Sequence, residues 1–246
     1  KENLGKTTQR LQIEAAPKTQ PLAVVCFGPS LQKSWEYIVP YTDVLTCSGA
    51  HDFLIGKGKV PTYHADCDPR EHKSAFTSHP HKDVQYLLAS CVHPKTINQL
   101  KDYNLRLWNL ETVEDYPYPE GEWAMPGVGC IGIQSLLIGR ALGYYNMDIF
   151  GMDCSYAPDG TTHAGEHNGP FREEEMWVMV GTPPTQDNPS KDYKIFRTSL
   201  EFVIYAKWFM HWANNVMTDC QFQVLGSGLL PAMLEWESKK ELTHAT

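Results

Sequence analysis

Gly127-Val-Gly-Cys-Ile-Gly-Ile-Gln-Ser-Leu-Leu-Ile-Gly-Arg-Ala-Leu-Gly-Tyr-Tyr-Asn-Met-Asp-Ile-Phe-Gly-Met-Asp153 is the stretch that decides the fold. A glycine-rich turn leads into an apolar run of helical spacing over 130–142, and a short apolar strand over 147–150 follows at once. Loop, helix and buried strand in that order are the repeating unit of a parallel α/β sheet. Past the strand come Gly151-Met-Asp153, Tyr156, a Pro158-Asp-Gly160 turn and His163. An acid and a histidine beyond the C-terminal end of a strand stand where open α/β sheets bind ligands. The stretch therefore points to a nucleotide-type ligand that meets Asp153 and His163.

Working outward, the same alternation continues. Leu22–Phe27, Val44–Cys47, Thr62–Asp66, Val84–Ser90, Leu105–Leu110 and Gln223–Leu225 read as strands, and Leu31–Ile38 and Ser199–Asn214 read as helices. The expected fold class is α/β: a three-layer, Rossmann-like domain with a mostly parallel sheet. Residues 1–20 are polar and turn-rich and read as a flexible segment or a self-association contact, leaving 21–246 as a single domain. Residues 114–122, 157–170 and 181–193 carry no periodicity and read as loops.

The chain has 246 residues, 42% of them hydrophobic, enough for one full core, and a formal charge of −8. That charge gives no broad basic surface, so a nucleic-acid duplex is not an expected partner. No run approaches the length of a membrane span, and no signal peptide is visible. Seven cysteines without a CxxC pair read as reduced thiols, and the expected location is the cytoplasm.

Several motifs carry chemistry. Gly28-Pro29-Ser30 stands where a strand turns into a helix. Glycine lets backbone approach a ligand, and the free N–H groups at the helix start suit a phosphate; otherwise Ser30 is an ordinary cap. Asp66-Cys67-Asp68 sets two carboxylates two residues apart, a spacing that can hold Mg2+ or Mn2+ against a diphosphate. The plainer reading has Asp66 capping the next segment and Asp68 solvated. Arg70 and Lys73, close by, could reach phosphate. Gly127 and Gly129 open the nucleotide loop, and Gly132 suits helix–sheet packing. The spelling of 127–132 fits GxGxxG, but no preceding strand or following acid makes it a dinucleotide fingerprint.

His163-Ala-Gly-Glu166-His167 spells HxxEH. Zinc chemistry needs both histidines on one helical face, and the surrounding Pro158, Gly160, Gly165, Gly169 and Pro170 deny a helix. His163 first and His167 second read instead as acid–base groups. Asp153 and Tyr156 read as contacts to ribose, metal or acceptor, or Asp153 staples its own loop. Arg197 could offset a leaving phosphate, with Thr198 beside it; the plainer reading is a helix N-cap by Thr198 or Ser199. The aromatics of 202–212 read as core, and His79, His81, Cys91 and His93 as scattered surface residues.

Four blocks in order, Val25–Leu31, Asp43–Ser48, Tyr63–Asp66 and Gly127–Asp153, resemble the family that holds archaeal 6-hydroxymethylpterin diphosphokinases and the motility-accessory-factor glycosyltransferases. More distantly the chain is similar to bacterial sialyltransferases through Gly28-Pro-Ser-Leu31 and the Ala141–Asp153 block. Cys26-Phe27 and Ser48 depart from the usual Gly-Asn or Gly-Gly and from the sialyltransferase Asn. The resemblance covers residues 22–230 and implies the sialyltransferase-type variant of a nucleotide-binding glycosyltransferase fold. It also implies a transferase whose donor is a nucleotide sugar or ATP, acting on a hydroxyl acceptor, with Ser48, Gly127, Gly129 and Thr198 near the donor. A binding protein without catalysis is the remaining alternative.

Overall fold

The structure, a computed structural model, describes residues 3–7, 9–111, 122–165, 175–184 and 192–244. Its centre is an eight-stranded sheet. The strands are β1 (Leu22–Val25), β2 (Asp43–Cys47), β3 (Tyr63–Asp66), β4 (Gln85–Ala89), β5 (Asn104–Leu110), β6 (Ala124–Met125), β7 (Asn146–Phe150) and β10 (Gln221–Leu225). They lie in the order β10-β7-β1-β2-β3-β4-β5-β6, every pairing parallel. The helices are α1 (Leu31–Ser34), α2 (Ala50–Gly56), α3 (Pro94–Leu100), α4 (Ile131–Ala141), α5 (Leu200–Asn215) and α6 (Leu229–His244).

β1 is buried on both faces, as a central parallel strand must be, and its residues divide between two cores. Ala23, Val25 and Phe27 pack with Leu31 of α1 and Ala50 and Leu54 of α2. Leu22, Val24 and Cys26 pack in the opposite core, which takes in Ile133 and Leu136 of α4. Helix, sheet and helix give the three-layer α/β class expected from the sequence. The strand order reverses at β1, with β2 to one side and β7 to the other, and that reversal opens a crevice at the C-terminal edge.

Several elements differ from the sequence reading, α3 and β6 among them. Glu175–Gly181 (β8) and Tyr193–Ser199 (β9) form an antiparallel hairpin, so Arg197 and Thr198 lie in a strand that leads directly into α5, where Ser199 is the N-cap and its hydroxyl accepts from the Phe202 N–H at 3.2 Å. Met176–Val180 is a continuous apolar run and Lys194, Arg197, Thr198 and Ser199 break up β9, so neither strand shows an alternation in the sequence. α6 carries no usable apolar period, yet it packs on the hairpin and β10, with Lys194 paired to Glu235 at 2.9 Å. Ser30 makes no side-chain cap. Residues near the N-terminus lie along the outer edge of β5: Leu11 N–H donates to Leu107 O at 2.9 Å, and the Leu107 N–H donates to Gln9 O at 3.1 Å. Covering an edge strand in this way removes a row of unpaired backbone groups.

Away from the cleft, Asp52 Oδ1 lies 2.7 Å from His51 Nδ1, and Asp52 Oδ2 accepts from the Ser78 N–H at 2.9 Å and the Ser78 hydroxyl at 2.6 Å. Burial alone would raise this carboxyl, but bonds from His51, Ser78 and His79 outweigh it and hold the pKa at about 2. A depressed carboxyl contributes stability above its unfolded pKa near 3.8, and that contribution is lost as pH falls towards 2. In Asp52→Asn the acid limb of melting temperature against pH should flatten between those values. The variant should also lose roughly 1–2 kcal/mol at neutral pH, allowing for partial exposure. Parallel melting curves for both proteins check this.

Candidate active-site cleft

Beyond the C-terminal ends of β1, β2, β3 and β7 the chain encloses a cleft of about 590 Å³. Its location follows from the strand order, because loops leaving β1 and β7 diverge to opposite faces of the sheet. Among the expected site residues, Gly28, Pro29, Ser48, Asp68, Gly129, Asp153 and His163 line it, together with Arg70 and Lys73. Ser30, Asp66, Gly127, Tyr156, Arg197 and Thr198 do not. His167 lies outside the described residues.

The walls are tightly constrained. Gly28 N–H donates to Gly151 O at 2.8 Å. A Cβ on Gly28 would collide with that carbonyl and come within 2.6 Å of Asp153 Oδ2, so this glycine serves the join between β1 and β7. Gly129, at φ 82°, lies under the indole of Trp208, where a Cβ would overlap the ring. Gly127 instead approaches Glu111 O, away from the cleft. Ser48 and Cys154 hold φ of 52° and 53°, and both border the cleft. Left-handed backbone at non-glycine residues costs energy and concentrates at functional sites.

Asp153 is 2% exposed. Its Oδ2 accepts from Ser30 N–H at 2.7 Å, its backbone carbonyl accepts from Leu230 N–H at 3.1 Å, and Gly228 packs against its Cα. Its Oδ1 is buried with no hydrogen-bond partner. Burial pushes the carboxyl up, and the bonds from Ser30 offset this in part. Asp153 thus ties the starts of α1 and α6 to the end of β7.

The two aspartates after β3 have different partners. Asp66 Oδ1 accepts from Cys67 N–H at 2.7 Å and Asp68 N–H at 3.0 Å, closing a turn. Burial pushes its pKa up to about 6 against these bonds and Lys73. Asp68 is gripped by Arg70, with Nε at 2.9 Å and a terminal nitrogen at 2.5 Å, and has Lys73 Nζ at 3.7 Å. Among the described residues no three His, Cys, Asp or Glu side chains converge on a metal position. The cleft wall here presents two cations and one carboxylate, a set suited to an anionic ligand.

His163 stands at the cleft mouth, with Nδ1 2.9 Å from Thr162 Oγ1 and its ring 5.7 Å from that of Phe27. Ala164 N–H donates to Phe27 O at 2.9 Å and fastens the histidine loop to the end of β1. A smaller concavity of about 270 Å³, bordered by Tyr156, Gly160, Thr161 and Glu175, shares Thr162 and His163 with the cleft. Arg197 lies over the Tyr156 ring at 5.5 Å and pairs with Glu175 at the rim of this second hollow. Thr198 is fully buried, its hydroxyl donating to Cys154 O at 2.8 Å, so it holds the strained residue and does not meet a ligand.

Sequence reasoning missed two features. Phe202 and Tyr205 of α5 line the cleft with Glu201, whereas Phe209 enters the core as expected. Cys26, Cys47, Cys67, Cys130 and Cys154 all border the cleft. Each ends or follows a strand or begins α4, a signal present in the sequence once a parallel sheet is assumed.

A family model described as 6-hydroxymethylpterin diphosphokinase MptE-like matches residues 1–159. The chain belongs to that family. The matched part carries β1 through β7, Asp153 and most of the cleft floor. No curated protein matches. Among solved structures, the MAf glycosyltransferase from Magnetospirillum magneticum AMB-1 is similar, with a TM-score of 0.63 and 12% identity over 96% of this chain. The chain spans 39% of that protein. The likeness extends the family fold through the hairpin, α5 and α6. No helix among the described residues is long and apolar enough to cross a membrane.

Proposed function

We propose that this protein is a nucleotide-dependent transferase that moves a sugar from a nucleotide-sugar donor to a hydroxyl acceptor. The observation that carries the reading is the cleft at the strand-order reversal, with His163 shared between it and the smaller hollow. The donor occupies the larger space, whose volume lies within the range of about 300–1,000 Å³ usual for small-ligand sites. Arg70 and Lys73 face its phosphates, and the apolar wall of Phe27, Ile131 and Phe202 receives the base or sugar. The acceptor hydroxyl enters from the hollow beside Tyr156 and Thr161. His163 takes its proton as the new glycosidic bond forms, and the nucleotide leaves with the electron pair of the broken bond. Asp153 keeps the two sides of the crevice in register.

The family supports a second reading, diphosphate transfer from ATP to a hydroxymethyl group. A thermal-shift panel of CMP, CDP, UDP, GDP and ATP, each with and without Mg2+ or Mn2+, separates the two. Stabilisation by CMP or a nucleoside diphosphate supports sugar transfer, whereas stabilisation by ATP alone with the metal supports diphosphate transfer. Silence across the panel would sink both. In Arg70→Ala the dissociation constant of the stabilising nucleotide should rise about tenfold, as expected when a charge-assisted phosphate contact is removed. Isothermal titration checks it.

A further inference from the structure

The cysteine cluster has no part in the transfer chemistry. In the ladder between β1 and β2, Val25 is opposite Thr46, which makes Cys26 and Cys47 the next neighbours across the strands. Both side chains enter the core that contains α4, and the Cys47 thiol donates to Cys26 Sγ at 3.6 Å. Neighbouring strands lie about 4.8 Å apart, and disulfides join Cα atoms about 4.4–6.8 Å apart. Both residues border the cleft, so a small oxidant reaches them without unfolding.

We propose that Cys26 and Cys47 form a reversible cross-strand disulfide in the cleft floor, and that forming it closes the cleft to its ligand. With hydrogen peroxide as oxidant, one sulfur attacks the peroxide, the O–O bond breaks and a sulfenic acid and water form. The second sulfur then attacks the sulfenic sulfur, the S–S bond forms and a second water leaves. Two thiol protons and two electrons thus pass to the peroxide. Bonding draws the sulfurs from contact to about 2.05 Å. The residues that must shift in response are Phe27 and Gly28 after Cys26, and Ser48 after Cys47, all on the cleft wall. Ser48 is already held at φ 52°. A parallel strand pair is not ideal for this bond, and strain makes a disulfide easier to reduce. The hydrogen bond from Cys47, and after it burial, push the Cys26 thiol up, so oxidation is slow and selective for sustained oxidant.

The disulfide stands without the nucleotide reading; its effect on binding rests on that reading. The 246-residue chain is treated with hydrogen peroxide, its remaining thiols are alkylated, and intact mass and peptide mapping are recorded. The expected result is alkylation of five cysteines out of the original seven, with a Cys26–Cys47 cross-linked peptide that dithiothreitol abolishes. Seven alkylated thiols, or a bridge from either residue to Cys130, would overturn the site. Cys47→Ser should leave no bridge under the same treatment; a bridge that persists also overturns it. The oxidised protein should lose the thermal shift given by whichever panel nucleotide stabilises the reduced protein, and dithiothreitol should restore it. A mapped bridge with the shift intact overturns the closing of the cleft. If no nucleotide stabilises the reduced protein, the transfer reading fails, and the mass measurement still decides the disulfide.

Discussion

His163→Ala should reduce turnover about 10²–10⁴-fold while leaving nucleotide affinity and melting temperature close to those of the parent, the range expected when a general base is removed. The residue is placed for this by three local facts. The Gly160 turn ends the β7 loop, Ala164 is fastened to Phe27 O, and Thr162 bonds the ring at Nδ1. Either tautomer of the ring is consistent with that contact. The side chain is also shared by the two hollows, so truncation removes a group from the reacting edge and not from a core. Steady-state kinetics with the donor identified by the nucleotide panel checks the prediction. Wild-type turnover would remove His163 from the chemistry, and a collapse in melting temperature would make it a structural residue instead.

Gly28→Ala should destabilise the protein by about 3 kcal/mol, the upper range for overpacking. The methyl would overlap Gly151 O, to which the Gly28 N–H is itself bonded, and would crowd Asp153 Oδ2 at 2.6 Å. Neither neighbour is free to retreat. Gly151 O belongs to the turn after β7, and Asp153 is fixed through Ser30, Leu230 and Gly228. For a chain of this length the melting temperature should fall by roughly 6–12 °C. Nucleotide binding should weaken with it, because β1 and β7 form the two sides of the crevice. Melting curves and the nucleotide panel read both effects. An unchanged melting temperature would mean that the β1–β7 join is looser than the structure shows.

Much of this was legible in advance. The periodicity over 130–150 and the short apolar runs identified the central strands, and acidic or glycine residues after them marked the ligand edge. Asp153 and His163 were found by that logic. The hairpin of β8 and β9 was not, since β8 is a continuous apolar run with Trp177 and Met179 exposed and β9 is mostly polar, so neither strand alternates. α6 was missed because its charged residues break up the apolar stripe. Thr198 read equally well as a ligand contact and as a cap, and its actual bond to Cys154 O depends on a loop distant in sequence.

The parallel α/β architecture, with Asp153 and His163 after a strand at the edge where such sheets bind ligands, was readable along the chain because hydrophobic period and turn chemistry are local properties. Only the tertiary structure decided which strands are neighbours, and with that which side chains share a space. It paired Asp68 with Arg70 and set Lys73 beside it, buried Asp153 as the join between loops, and gathered five cysteines around one cleft. Strand order is a long-range outcome of packing, and no spacing along the chain encodes it.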